Sequence, residues 1–177
     1  GAGSQTAALV FGGNAPGIVS TTFEYDGTNY SPGGAMNTAR TYTTGFGIQT
    51  AALCAGGNTP SKTGATEEYN GSAWTSSGSL ITARDSLCGG GAQTDGLVFT
   101  GSDGSAVANT EGYDGTSWST RPSVSTARIF AEGTAGTTSS AAAIIFGGAP
   151  GGGPFINNTE EFTAETSSLN VKTLTQA

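Results

Sequence analysis

Three times, at a fixed spacing of 44 residues, this chain repeats an aromatic, a turn and a closing arginine. Tyr25-Asp26-Gly27-Thr28-Asn29-Tyr30, Tyr69-Asn70-Gly71-Ser72-Ala73-Trp74 and Tyr113-Asp114-Gly115-Thr116-Ser117-Trp118 are the three copies, and Thr-Ala-Arg ends each of them at Arg40, Arg84 and Arg128. A period of this size belongs to repeat architectures, in which one unit cannot bury its own apolar face and is stable only when stacked on its neighbours. Units 1-40, 41-84, 85-128 and 129-177 account for the whole chain, which reads as a single domain of four repeats.

Within a unit the order of elements is legible. Gly1-Ala2-Gly3-Ser4-Gln5 aligns with Gly45-Phe46-Gly47-Ile48-Gln49 and Gly89-Gly90-Gly91-Ala92-Gln93, so Gly1 enters its unit part-way along a strand and upstream sequence is expected to complete it. Next comes an apolar run ended by glycine: Ala7 to Gly13, Ala51 to Gly57, Gly96 to Gly101 and Ala142 to Gly148, with Thr100 breaking the glycine pair in the third copy. Such a run reads as a short buried strand followed by a turn. A connection of variable length follows, then a strand carrying Thr22, Thr66, Thr110 or Thr159 three residues before Tyr25, Tyr69, Tyr113 or Phe162. Asp26-Gly27, Asn70-Gly71 and Asp114-Gly115 predict a tight hairpin with both residues at positive φ. Tyr30, Trp74 and Trp118 then open a fourth strand. The expectation is an all-β protein of four-stranded antiparallel meanders, stacked radially because a lone sheet of this size is marginal.

Composition supports this. Thirty glycines and only 11% charged residues disfavour helices, while 35% hydrophobic residues suffice for a core spread thinly between sheets. The formal charge is −7, with six basic residues in total, so no basic stripe exists to engage nucleic acid. No apolar run is long enough for a membrane helix, and membrane insertion is not expected. Cys54 shares a column with Val10, Val98 and Ile145 and reads as a small core hydrophobe. Cys88, in a column with Thr44 and Glu132, is expected in wetter surroundings, and their spacing suits neither a metal site nor a redox pair.

The glycine doublet after an apolar strand, with a Tyr and a Trp bracketing the next turn, resembles the kelch repeat, and the resemblance runs through all four units. It implies a kelch-like β-propeller. The WD repeat, which has a similar period, needs Gly-His and Trp-Asp signatures, whereas this chain has no His, and Thr75 and Ser119 follow its two tryptophans. The Thr-Glu-Glu-Tyr, Asn/Asp-Gly-Thr/Ser and Thr-Ala-Arg style is similar to kelch-type repeats in structural proteins of marine bacteriophages, such as tail fibres. That likeness implies a virion component recognising host surface glycan or protein, or binding other virion subunits. A secreted or cell-surface adhesin or matrix protein is the alternative. Either setting places the chain on a virion or outside a cell, and a homo-oligomer or larger assembly is expected.

Candidate chemistry is sparse. Some kelch-like propellers are copper oxidases with His and Tyr ligands, and the absence of His removes that chemistry and any His-based triad. Glu67-Glu68 and Glu160-Glu161 are paired carboxylates, but adjacent strand residues point to opposite faces and so do not converge on one substrate atom. No catalysis and no cofactor are expected. Tyr25, Tyr69, Tyr113, Trp74, Trp118, Glu68, Glu161 and the three arginines are assigned to the repeat framework. For Arg40, Arg84 and Arg128 the structural role is an Arg–Glu pair within or between sheets; the functional alternative is a ring of cations facing an anionic ligand. Ligand contacts are assigned to the places where the repeats disagree: Lys62 and Asp103 in the second and third variable loops, and Phe155, Ile156 and Asn157 in the long fourth one. There Phe155 and Ile156 either tuck against a neighbouring sheet or meet a partner.

Overall fold

The computed structural model describes residues 1–136, 139–163 and 171–174. Their strands form four antiparallel four-stranded sheets, each in sequence order. Sheet I holds β1 (Ala2–Ser4), β2 (Ala7–Phe11), β3 (Thr22–Tyr25) and β4 (Tyr30–Pro32); sheet II holds β5 (Thr44–Ile48), β6 (Ala51–Ala55), β7 (Thr66–Tyr69) and β8 (Trp74–Ser77). Sheet III holds β9 (Cys88–Ala92), β10 (Asp95–Phe99), β11 (Thr110–Tyr113) and β12 (Trp118–Arg121), and sheet IV holds β13 (Glu132–Gly136), β14 (Ser139–Phe146), β15 (Thr159–Thr163) and β16 (Val171–Leu174). The first strands pack side by side in the order β1, β5, β9, β13, and their glycines line one cleft. The arrangement is all-β and propeller-like.

Glycine in and beside these first strands answers a demand for space. A Cβ on Gly45 would lie 2.2 Å from Cζ of Phe11, and one on Gly96 would lie 2.2 Å from Cε2 of Phe46. The aromatic ring of one sheet fills the volume that a side chain on the next would need.

The core is divided among the junctions between sheets. Leu9, Phe11 and Met36 of unit 1 meet Ala52, Cys54, Tyr69 and Trp74 of unit 2. Phe46, Leu53, Ala55 and Leu80 meet Leu87, Val98, Tyr113 and Trp118, and Leu97, Phe99 and Val124 meet Ala131, Ile145 and Phe162. Sheets II and III therefore each have a back face turned to the successor and a front face turned to the predecessor, and the odd and even columns of sheets I and IV follow the same assignment. Burying both faces of thin sheets is how a lean sequence obtains a core. Both cysteines are buried and unpaired. Cys88 is thus dry, contrary to the wetter surroundings expected from its Thr44 and Glu132 column: the edge of β9 packs under sheet IV. Burial pushes its thiol up to about 12.

Polar bonds repeat across the junctions in the same register. The Trp74 indole donates to Oγ1 of Thr22 and the Trp118 indole to Oγ1 of Thr66, both at 2.9 Å. The Gln49 amide donates to the carbonyls of Ala8 and Tyr25, and the Gln93 amide to those of Ala52 and Tyr69. The Tyr69 hydroxyl donates to Glu24 and the Tyr113 hydroxyl to Glu68, each at 2.5 Å. At the third junction the corresponding positions are Gly112 and Phe162, so the acceptor and the hydroxyl are absent together. By backbone register the Trp column there holds Val171. Among the described residues the buried Oγ1 of Thr110 is left without a partner.

The hairpin turns differ from the sequence expectation. Gly27, Gly71 and Gly115 take φ of 94°, 90° and 92°, while Asp26, Asn70 and Asp114 keep negative φ. Four residues separate the paired ends Tyr25 and Tyr30. The Asp or Asn side chain spans that loop, as Oδ1 of Asp26 does by accepting from the amides of Thr28 and Asn29. Thr100 replaces the first glycine of the doublet but keeps its conformation, with φ 55° beside 64°, 65° and 66° at Gly12, Gly56 and Gly147. A β-branched residue is strained there; its carbonyl is held by Nε of Arg84 at 2.8 Å.

The paired loss at the third junction can be tested. Phe162→Tyr alone buries a hydroxyl with no acceptor and is expected to destabilise by about 1–3 kcal/mol. Adding Gly112→Glu, where the atoms nearest an added Cβ belong to the flexible end of Arg121, is expected to restore the loss, as read from urea denaturation of the two single variants and the double variant.

Candidate functional site

The arginine column is the most buried charged feature of the molecule. Arg40, Arg84 and Arg128 are each 0% exposed. Each sits in the connection leaving one sheet and reaches a glutamate on the third strand of the next. Arg40 pairs with Glu67 at 2.5 Å, and Arg84 with Glu111 and Arg128 with Glu160 in the same way. The carboxylate also gathers the backbone of the connection. Glu67 accepts from the amides of Asn37 and Thr38, Glu111 from those of Ile81 and Thr82, and Glu160 from that of Ser125. The guanidinium is further held by loop carbonyls: Ala65 for Arg40, Thr82 for Arg84, and Gly147 and Asn158 for Arg128. Most polar atoms of the clamp are bonded, although Nε of Arg40 and one terminal nitrogen of Arg84 are left without a partner among the described residues, so the pair offsets part of its desolvation. This leaves no cationic surface for an external ligand, so a ring of cations facing an anion is not what the arginines form.

The sequence reading placed Glu68 and Glu161 in the framework, and the arginines' partners are their neighbours Glu67 and Glu160. Glu68 faces the other way and accepts from Tyr113 of the following sheet, while Glu161 lies exposed on the back of sheet IV. Adjacent strand residues thus serve opposite junctions.

The meander puts the variable loops and the sheet-to-sheet connections at one end. Short bridges knit them there: Thr41 with Asn58, Asn58 with Lys62, Asp85 with Ser102, and Ile129 with Ala149. On this loop face Lys62 Nζ lies 2.7 Å from Oδ2 of Asp85, Asn58 donates to the same oxygen, and Ser86 donates to Oδ1. Asp103 is exposed and caps its own loop by accepting from the Ser105 amide. Phe155 is 75% exposed and does not tuck against a sheet, Asn157 is exposed, and Ile156 is half-buried and donates its amide to Gly148. The loop-face positions therefore fall into two sets, Lys62 with Asp85 and Asn58 in one, and Phe155 with Asn157 in another.

Two residues that the sequence reading missed stand on the same face. Tyr42 and Phe130 are 58% and 51% exposed, with ring centroids 6.3 Å apart. Both take positive φ, 53° and 55°, as does Ser86 between them at 54°. The three are linked in series, the Ser86 amide donating to Tyr42 and the Phe130 amide to Ser86. A large side chain in that conformation is a backbone outlier of the kind that gathers at functional sites. A partial signal existed: this column lies two residues after each arginine and reads Tyr, Ser, Phe directly behind the invariant Thr-Ala-Arg, although the flanking columns, Thr41/Asp85/Ile129 and Thr43/Leu87/Ala131, vary as well.

Among the described residues no group of three or more His, Cys, Asp or Glu could hold a metal ion. No family model and no curated protein matches the sequence. Among solved structures, that of YjhT superposes on 88% of this chain with a TM-score of 0.69 at 12% identity. The chain spans about half of that molecule, 51% of its length. At this identity the likeness speaks to the fold alone.

Removing a clamp should be expensive. Arg84→Gln leaves Glu111 buried and unpaired and is expected to cost about 3–5 kcal/mol, lowering Tm by on the order of 10 °C. Lys62→Gln, at the more solvated pair, should change stability by less than about 1 kcal/mol. Equal effects in thermal melts would show that the clamp is dispensable.

Alkaline pH probes the junction tyrosines. Burial, then the hydrogen bond to Glu24, pushes Tyr69 up to about 12, and burial, then Glu68, does the same for Tyr113. An unfolded tyrosine titrates near pH 10, so above about pH 10 the unfolded chain releases protons that the folded chain keeps. Stability held below that pH is then lost progressively towards about pH 12. Urea midpoints should decline across this window, and Tyr69→Phe with Tyr113→Phe should flatten the decline.

Proposed function

We propose that this chain is a non-catalytic binding module built as a kelch-type β-propeller, which recognises surface glycan through its loop face. The carrying observation is the pair of exposed rings, Tyr42 and Phe130, held at positive φ 6.3 Å apart beside the Lys62–Asp85–Asn58 cluster. Exposed aromatic surface rimmed by polar groups marks a binding site rather than a core. Aromatic rings offer an apolar face for the C–H side of a sugar, and the neighbouring amide, ammonium and carboxylate offer donors and acceptors for its hydroxyls. The four-sheet repeat and the superposition on YjhT support the propeller reading.

The setting that suits this reading is the outside of a phage particle, as a tail or fibre component meeting host glycan or protein. A bacterial adhesin or matrix protein has the same surface requirements, and the genes flanking the coding sequence distinguish the two. In either setting the binding face is made of loops that short bridges tie to one another beside the sheets, which lowers the ordering cost of binding.

Because Tyr42 and Phe130 are exposed, Tyr42→Ala and Phe130→Ala should each alter stability by no more than about 0.5 kcal/mol. Each should weaken binding on a glycan array by about tenfold or more, as loss of an aromatic anchor does. Array and host-cell adsorption signals that survive both substitutions would place recognition elsewhere.

A further inference from the structure

The two end faces of the array are open in a complementary way. At each junction the front-face column of Cys54, Val98 and Ile145 is fully buried, whereas its member in sheet I, Val10, is 47% exposed. The column of Trp74 and Trp118 is buried, whereas Tyr30 is 64% exposed. The carboxylate column of Glu67, Glu111 and Glu160 is buried, and in sheet I it holds Phe23, 42% exposed. At the other end, Phe146 of sheet IV is 45% exposed although its column mates Phe11, Ala55 and Phe99 are buried. Ile144, in the column of the fully buried Leu9, Leu53 and Leu97, is only partly covered.

The polar positions match as well. Inner junctions pair the second glutamate of one sheet with the tyrosine of the next: Glu24 with Tyr69 and Glu68 with Tyr113. Where Gly112 faces Phe162, both members are lost together. At the open ends both are kept: Glu161 is exposed on the back of sheet IV, and Tyr25, half-buried, holds the tyrosine position in sheet I. Gln5, in the column of Gln49 and Gln93, is also exposed.

We propose that the front of sheet I docks against the back of sheet IV of a second copy of this chain, so that two copies close one ring through two identical junctions. Tyr25 then meets Glu161, Tyr30 packs on Phe146 as Trp74 packs on Phe11 at 4.8 Å, and Val10 meets Ile144. Phe23 stands where the other sheets receive an arginine, so these two junctions are apolar and contain no ion-pair clamp. Two copies of the 177-residue chain are the stoichiometry proposed, and together they match the size of YjhT, of which this chain covers 51%. A head-to-tail interface closes when its rotation brings the second copy back to the first. This inference depends on the propeller arrangement and is independent of the ligand.

The test uses the 177-residue chain and two substitutions at exposed positions, Tyr30→Glu and Phe146→Lys. Sedimentation equilibrium should give twice the chain mass of 17.4 kDa. Each single variant should retain the strand signature in circular dichroism and raise the dissociation constant by about 100-fold or more, because each ring then buries two unpaired charges. Mixing the two variants should restore a two-chain species, since one junction then opposes the introduced charges and the other is native. A single-chain mass for the parent protein at tens of micromolar, or a two-chain species indifferent to both substitutions, would overturn the proposal. Failure of the glycan array with the ring intact would count only against the ligand.

Discussion

A guanidinium buried against the third strand of the next sheet is the interaction on which the rest of this structure depends. Arg40, Arg84 and Arg128 each leave the connection behind one sheet and end on Glu67, Glu111 or Glu160. The same carboxylates bind amides of that connection, so one side chain fixes loop path, sheet spacing and register at once. Apolar contact alone would hold such sheets together without specifying their offset, because small side chains and glycine leave few shape constraints. A buried ion pair that also binds loop amides and carbonyls has few acceptable geometries. Specificity is its best account here, since a buried pair contributes modestly to net stability.

The repeat made the architecture readable and at first obscured the pairing. A 44-residue period, glycine-ended apolar runs and an aromatic after each turn are local features, and each sheet is a local meander, so strand order followed directly. Which glutamate serves which neighbour depends on how sheets stack, and strand alternation says only that the two face opposite ways. Yet the answer lay in two exceptions to the repeat. Gly112 occupies the second-glutamate position in unit 3, so that column could not have served Arg84, while Phe23 occupies the first-glutamate position in unit 1, which has no arginine before it. Departures from the pattern identified the junctions better than the pattern did.

The loop face was legible only as a location. Variable connections pointed to Lys62, Asp103 and Phe155, which the structure places there, but the Tyr42 and Phe130 rings escaped notice because they follow the arginine in a segment that reads as framework. Both combine exposure with a positive φ, a backbone state that residue type does not announce here. No pattern of hydrophobic and polar residues encodes that state, and a residue with Cβ gives no composition signal for it as glycine would. Thr100 shows the same blindness in reverse, since it looked like a break in the glycine doublet and yet adopts the doublet's conformation.

The direction of the clamp also bears on how such a chain grows. Every junction takes its arginine from the earlier unit and its carboxylate from the later one, so the parts of a seam are divided between two repeats and the phase of the division never changes. Duplicating a 44-residue stretch from the middle of the array, such as residues 41–84, supplies a new arginine and a new carboxylate in register, whereas a stretch carrying Phe23 in the carboxylate column does not. A lineage built this way can lengthen or shorten its array by recombination between repeats while the variable loops diverge independently.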